Sequence, residues 1–203
     1  MKTAHLSPED MEKRIARFRK LVPLPIQLDS SIPQPALDLI YSRKLLSVIG
    51  LSQPAGAPLG VGAPIRGAAG ITMTLAVCPP GQGPSLHAHR KTFETFTVLR
   101  GRFEVRWNDD GGAAAVLEEL DTISVPPGVC RAFRNVGDGE GILQVIISGG
   151  VHDMADIAIA ESVGAEIEAM GPGLLEKFQA TGLTFDAGSA AAGGADGEAA
   201  GEK

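Results

Sequence analysis

Apolar residues change their spacing twice along this chain, from a helical period to a strand period and back again. In residues 7–21, SPEDMEKRIARFRKL, and just beyond, Met11, Ile15, Phe18 and Val22 recur at helical intervals opposite Lys13, Arg14, Arg17 and Lys20. Such a stripe predicts an amphipathic helix with a solvated basic face. Ser7 stands as its N-cap, Pro8 at its first position and Asp10 three residues on, resembling a capping box. After the Pro-punctuated link VPLPIQLDSSIPQP, the run ALDLIYSRKLLSVIG reads as a short helix entering a strand, although periodicity does not settle it. Residues 51–70, rich in Gly, Ala and Pro, predict a surface loop.

The strand period then takes over. Short runs follow at regular spacing: ITMTLAV, SLHAH, FETFTVL, RFEVRW, AAVLEEL, TISVP, CRAFRN and ILQVIIS. Their separators, among them NDDGG, PPG and GDGEG, carry hairpin turn residues, which indicates a closed antiparallel sandwich or barrel. Beyond residue 152 a helical spacing returns through Met154, Ile157, Val163, Ile167 and Met170, then LLEKF, predicting two short helices packed outside the sheets. From Ala187 to Lys203 the chain is almost wholly Ala, Gly and acidic residues, too polar to offset its own ordering entropy, and is expected to be disordered. The expected organisation is an extension of helix and strand over 1–50, a barrel over 65–150, C-terminal helices over 151–186 and a tail over 187–203.

At 203 residues the chain has room for one domain with a proper core. Aromatics make up only 4% of it, so aliphatic packing must dominate. A net charge of −6 with no basic run beside exposed aromatics gives no footprint for nucleic acid. No stretch is apolar for long enough to span a membrane, and the acids near the N-terminus do not suit a secretory signal. A cytoplasmic location is expected, where Cys78 and Cys130 stay free thiols.

The chemistry concentrates in one short segment. His87 and His89 are separated by one residue, so on a strand both imidazoles leave the same face. Glu94 follows where the next strand begins, and a tight reversal brings its carboxylate over them. Two imidazoles and one carboxylate form a facial triad with open positions, suited to Fe(II) first, and also to Mn, Ni, Cu or Zn. By alternation Phe96 and Val98 share the inward face with Glu94, and Phe133 shares it with Arg131, giving an apolar pocket around a polar centre. His152 is a weaker candidate for a further ligand, since the acids after it read more simply as part of a turn or cap.

From Pro80 to Gly101, PGQGPSLHAHRKTFETFTVLRG has the form P-G-x5-H-x-H-x4-E-x6-G and resembles the first conserved motif of the cupin superfamily at every fixed position. Leu120–Asn135, LDTISVPPGVCRAFRN, is similar to the second motif at Pro126, Gly128 and Asn135. It departs at Leu120, where glycine is usual, and at Arg131, where a fourth ligand, a histidine, is expected. The resemblance covers roughly residues 70–150. It implies an all-β core, an antiparallel jelly-roll barrel with helical extensions at both ends, commonly a homodimer, holding a divalent metal on His87, His89 and Glu94. It also implies a non-haem oxygenase acting on a small-molecule substrate, with a non-catalytic binding module or a metal-dependent isomerase or lyase as alternatives. Arg131 cannot ligate a cation, and its planar fork matches a carboxylate, so it is expected to anchor an anionic substrate or to pair with Glu94.

Overall fold

The computed structural model describes residues 1, 6–50, 62–66, 70–149 and 154–188. The N-terminal helix is shorter than its apolar stripe. Helix α1 spans Pro8–Glu12, capped as expected by Ser7, whose hydroxyl accepts from the Asp10 amide at 3.1 Å. Met11, Phe18 and Val22 are left 47%, 49% and 62% exposed. A short helix persists in water only when its apolar face is packed, so the chain leaves the helix and makes a single 3-10 turn at Phe18–Lys20. Helix α2 (Gln34–Ile40) does bury its face, through Ala36, Leu37 and Ile40, and leads into strand β1 (Lys44–Gly50).

All eight runs expected as strands form them. After the two-residue β2 (Ile65–Arg66) come β3 (Ile71–Cys78), β4 (His87–His89), β5 (Phe93–Arg100) and β6 (Phe103–Trp107). Then follow β7 (Ala113–Leu117), β8 (Thr122–Val125), β9 (Arg131–Asn135) and β10 (Gly141–Ser148). The C-terminal flank holds β11 (Ile157–Ala160), α3 (Glu161–Met170), α4 (Leu174–Gln179) and β12 (Thr184–Ala187). Ile157, expected in a helix, therefore lies in a strand, and Ala187 closes another. Residues 189–203, expected as a disordered tail, fall outside the described residues, as does most of the 51–70 loop.

The strands make two six-stranded sheets, ordered β2-β1-β3-β10-β5-β8 and β12-β11-β4-β9-β6-β7. Among the described residues no ladder joins them, so the closed barrel expected from the sequence is instead a two-sheet jelly roll. Strands β3 to β10 supply four members of each sheet, and the flanks widen both: β2 pairs parallel to β1, and β12 parallel to β11. Between the sheets Phe96, Val98, Phe103, Val105, Phe133 and Leu143 form one apolar cluster. A second cluster joins α2, α3 and α4 to Ile157 and Ile159 of β11. Among the described residues no helix is long and apolar enough to cross a membrane.

Several fixed positions of the sequence patterns turn out to be stitching. Asn135 is fully buried and donates through Nδ2 to the carbonyls of Cys78 and Gly139, both at 2.8 Å. Its own carbonyl accepts from the Gly81 amide at 2.8 Å. The Gly128 amide donates to the His89 carbonyl at 2.7 Å, tying the turn after β8 to the end of β4.

Candidate metal centre

Alternation puts His87 and His89 on one face of β4, and both are buried. That strand has only three residues, so its neighbours decide where the imidazoles point. On one side β11 sets Ile157 against His89 and Ile159 against His87; on the other, a single pair sets His87 against Arg131 of β9. Glu94 belongs to the opposite sheet, in register between Ile147 of β10 and Val125 of β8. One ligand atom from each of the three residues lies within 4.8 Å of the others.

The protons of this cluster can be assigned from its hydrogen bonds. His87 Nδ1 lies 2.9 Å from the Ser85 carbonyl, which only accepts, so that nitrogen carries the proton. His89 Nδ1 lies 2.9 Å from Thr92 Oγ1 and 3.3 Å from Asp156 Oδ2. The Thr92 hydroxyl spends its own proton on Asp156 Oδ2 at 2.5 Å, so it too can only accept from the ring. Both Nε2 atoms are thereby left with lone pairs, and both face Glu94 Oε2, at 3.3 Å from His87 and 3.5 Å from His89. Electron pairs converging in a buried space repel unless a cation lies among them, and two imidazoles with a carboxylate are ordinary donors for a divalent metal. The donor set fits such an ion.

Asp156 has no counterpart in the sequence reading, which took the acids after His152 for a turn or a cap. It is buried at 4% exposure, and besides its contacts with Thr92 and His89 it accepts from the Lys91 amide at 2.7 Å. Burial raises its carboxyl, and the hydrogen bonds from His89, Thr92 and Lys91 outweigh that, holding it at about 2. For Glu94 burial likewise raises, while His89 and His87 in their protonated forms, together with Arg131, outweigh it and hold the group at about 2. His152 lies outside the described residues.

Arg131 is completely buried and sits against Glu94, its Nε 3.6 Å from Oε2. Its Nη2 donates to the Pro126 carbonyl at 3.2 Å, while among the described residues Nε and Nη1 find no hydrogen-bond partner. Burial pulls its pKa down and Glu94 pushes it up; a guanidinium stays charged through both. It is not on the wall of the cavity beside the donors. That cavity, of about 60 Å³, is lined by His87, His89 and Glu94 with Tyr41, Phe133 and a set of aliphatic side chains. Of the aromatic and aliphatic residues expected around the centre, Phe133 lines the cavity, whereas Phe96 and Val98 are packed into the core between the sheets. Cys78 and Cys130 are buried free thiols, and burial pushes them up to about 12 and about 11. Neither is poised to act as a thiolate.

Residues 74–147 match the family model of the cupin domain. This segment is a cupin. The match runs from within β3 to within β10, and the flanking strands and helices lie beyond it. No curated protein matches the chain. Among solved structures, BH2720 of Bacillus halodurans is 20% identical over 43% of this chain and 69% of that one, with a TM-score of 0.40. A protein with a double-stranded β-helix domain from Klebsiella pneumoniae is 22% identical over 42% of this chain and 72% of that one, at a TM-score of 0.39. A structure described as the DMSP lyases RdDddP and RnDddQII is 19% identical over 57% of this chain and 51% of that one, at a TM-score of 0.44. Within the cupin segment lie all three candidate ligands and Arg131; Asp156 is outside it.

Proposed function

We propose that this chain is a divalent-metal enzyme acting on a small organic substrate, with oxygenation on Fe(II) as its reaction. The observation that carries the reading is the pair of imidazoles whose protons are held on Nδ1 while both Nε2 atoms face Glu94. His87, His89 and Glu94 would hold the ion. Once bound, such an ion supplies Lewis acidity and open positions for substrate.

The rest of the site favours oxygenation over an isomerase or lyase reaction. Those reactions begin by removing a proton and call for a general base beside the substrate. Among the described lining residues the only titratable group besides the three donors is Tyr41, whose phenol burial holds above its ordinary range and therefore protonated. What the wall does offer is shelter: Ile40, Leu45, Ile147, Ile157, Ile159 and Leu183 keep the donors away from bulk water. Arg131 acts through its charge. With a divalent ion in place, the buried cluster of Glu94, Asp156 and Arg131 carries net positive charge, which favours an anionic substrate.

The contact between Arg131 and Glu94 supports a second reading, a non-catalytic module that holds a small anion without metal. Elemental analysis of freshly purified protein, followed by oxygen-uptake assays, separates the two. Stoichiometric metal is expected. Protein that carries none, and takes up none on incubation with Fe, Mn, Ni or Zn salts, belongs to the second reading.

A further inference from the structure

We infer that Asp156, from the segment after the cupin domain, is a positioning residue of the metal centre: it fixes the tautomer of His89 and clasps the turn joining His89 to Glu94. The inference rests on the metal-centre reading above. Three consecutive residues of that turn are bound to this one aspartate. The Arg90 amide donates to its carbonyl at 2.8 Å, the Lys91 amide to Oδ1 at 2.7 Å and the Thr92 hydroxyl to Oδ2 at 2.5 Å. Because both carboxylate oxygens only accept, every proton in the chain points toward Asp156, and the last acceptor in the relay, Thr92 Oγ1, draws the His89 proton to Nδ1. The lone pair on Nε2 is then free for a metal, and a carboxylate behind an imidazole makes that pair more basic.

An asparagine at this position has nearly the same shape and the opposite effect. With its oxygen on the Lys91 amide, its NH2 faces Thr92, whose hydroxyl must then turn its proton toward His89 Nδ1 and drive the ring proton to Nε2. The test combines two measurements on Asp156→Asn: the 15N chemical shifts of His89 in metal-free protein at alkaline pH, and Zn(II) affinity by competition with a chelator. The control is Arg90→Ala. That side chain ties the same segment to Ala155, Thr184 and Asp186 without touching the imidazole. In the parent protein His89 should carry its proton on Nδ1. In Asp156→Asn the proton should move to Nε2 and Zn(II) affinity should fall by about 10- to 100-fold, while Arg90→Ala leaves both readouts unchanged. A proton on Nε2 in the parent protein overturns the inference without any variant. So does an Asp156→Asn protein with the parent tautomer and affinity, or equal losses of affinity in both variants, which would reduce Asp156 to a mechanical tie. A parent protein that binds no Zn(II) refutes the metal-centre reading, and the tautomer measurement still judges the role of Asp156.

Discussion

Leu120 shows how a single backbone angle can explain a departure in sequence. Its φ is 72°, in the left-handed region that glycine enters freely and a leucine enters only with strain. Its side chain is 79% exposed, so little packing offsets that strain. Leu120→Gly should stabilise the protein by about 1 kcal/mol, visible as a higher urea midpoint at unchanged slope; a lower midpoint would show that the turn gains from the leucine. At the ligands the expectation is the opposite combination of effects. Replacing His87 and His89 together by alanine should empty the centre, since Glu94 alone cannot retain an ion. It should leave the melting temperature of the metal-free protein little changed, since the two rings border a cavity already present. Full metal retention in the double variant would place the ion elsewhere. The three donors were legible because two residues apart on a strand means one face, and that holds for any strand. Asp156 was not, because nothing local links it to His89: the hydrogen bond from Thr92 to Asp156 spans 64 positions of sequence. Alternation likewise gave the inward direction of Phe96 and Val98 but not the depth at which each comes to rest.

Elements were legible where local pattern and tertiary contact agreed. The runs that became β3 to β10 alternate and end in turn residues, and all formed. The N-terminal stripe has good helical spacing and a good cap, yet without a surface to pack on it stops at Glu12. Residues 157–160, IAIA, fit a helix or a strand equally well by composition. They became β11 because the open edge of the three-residue β4 offers backbone hydrogen bonds that an isolated helical turn could not match. The approach of the β3–β4 connection to β9 is equally strict. A Cβ built on Gly83 would fall 1.9 Å from the Phe133 carbonyl oxygen, a backbone atom that cannot swing aside. Gly83→Ala should therefore destabilise by roughly 3 kcal/mol or more through forced separation of the strands. A urea titration with little change would mean that the connection has slack.

For the molecule as a whole, the buried acids set an acid limit. The Glu94 carboxyl is held at about 2 in the fold against an ordinary 4.5, so the folded state binds its proton less readily than the unfolded chain does. Its contribution is complete above the ordinary value and is lost as pH falls from 4.5 toward 2, amounting to roughly 3 kcal/mol across that window. Asp156, lowered in the same direction, steepens the decline. Stability of the metal-free protein, followed by circular dichroism, should fall through this range, and Glu94→Gln should flatten the curve; an equally steep decline in the variant would assign the limit to other groups.

Most of the cavity wall has a different origin from the donors it encloses, although Thr74, Pro84, Phe133, Val145 and Ile147 belong to the cupin segment with them. Ile40, Tyr41, Ser42 and Leu45 come from before the cupin segment, and Ile157, Ile159 and Leu183 from after it. The larger part of that wall is thus written outside the stretch that holds the donors. Drift or deliberate recombination in the flanks can refit the chamber to a new guest while the ion's seat is inherited intact, and a library confined to those seven positions is where a change of specificity should be sought first.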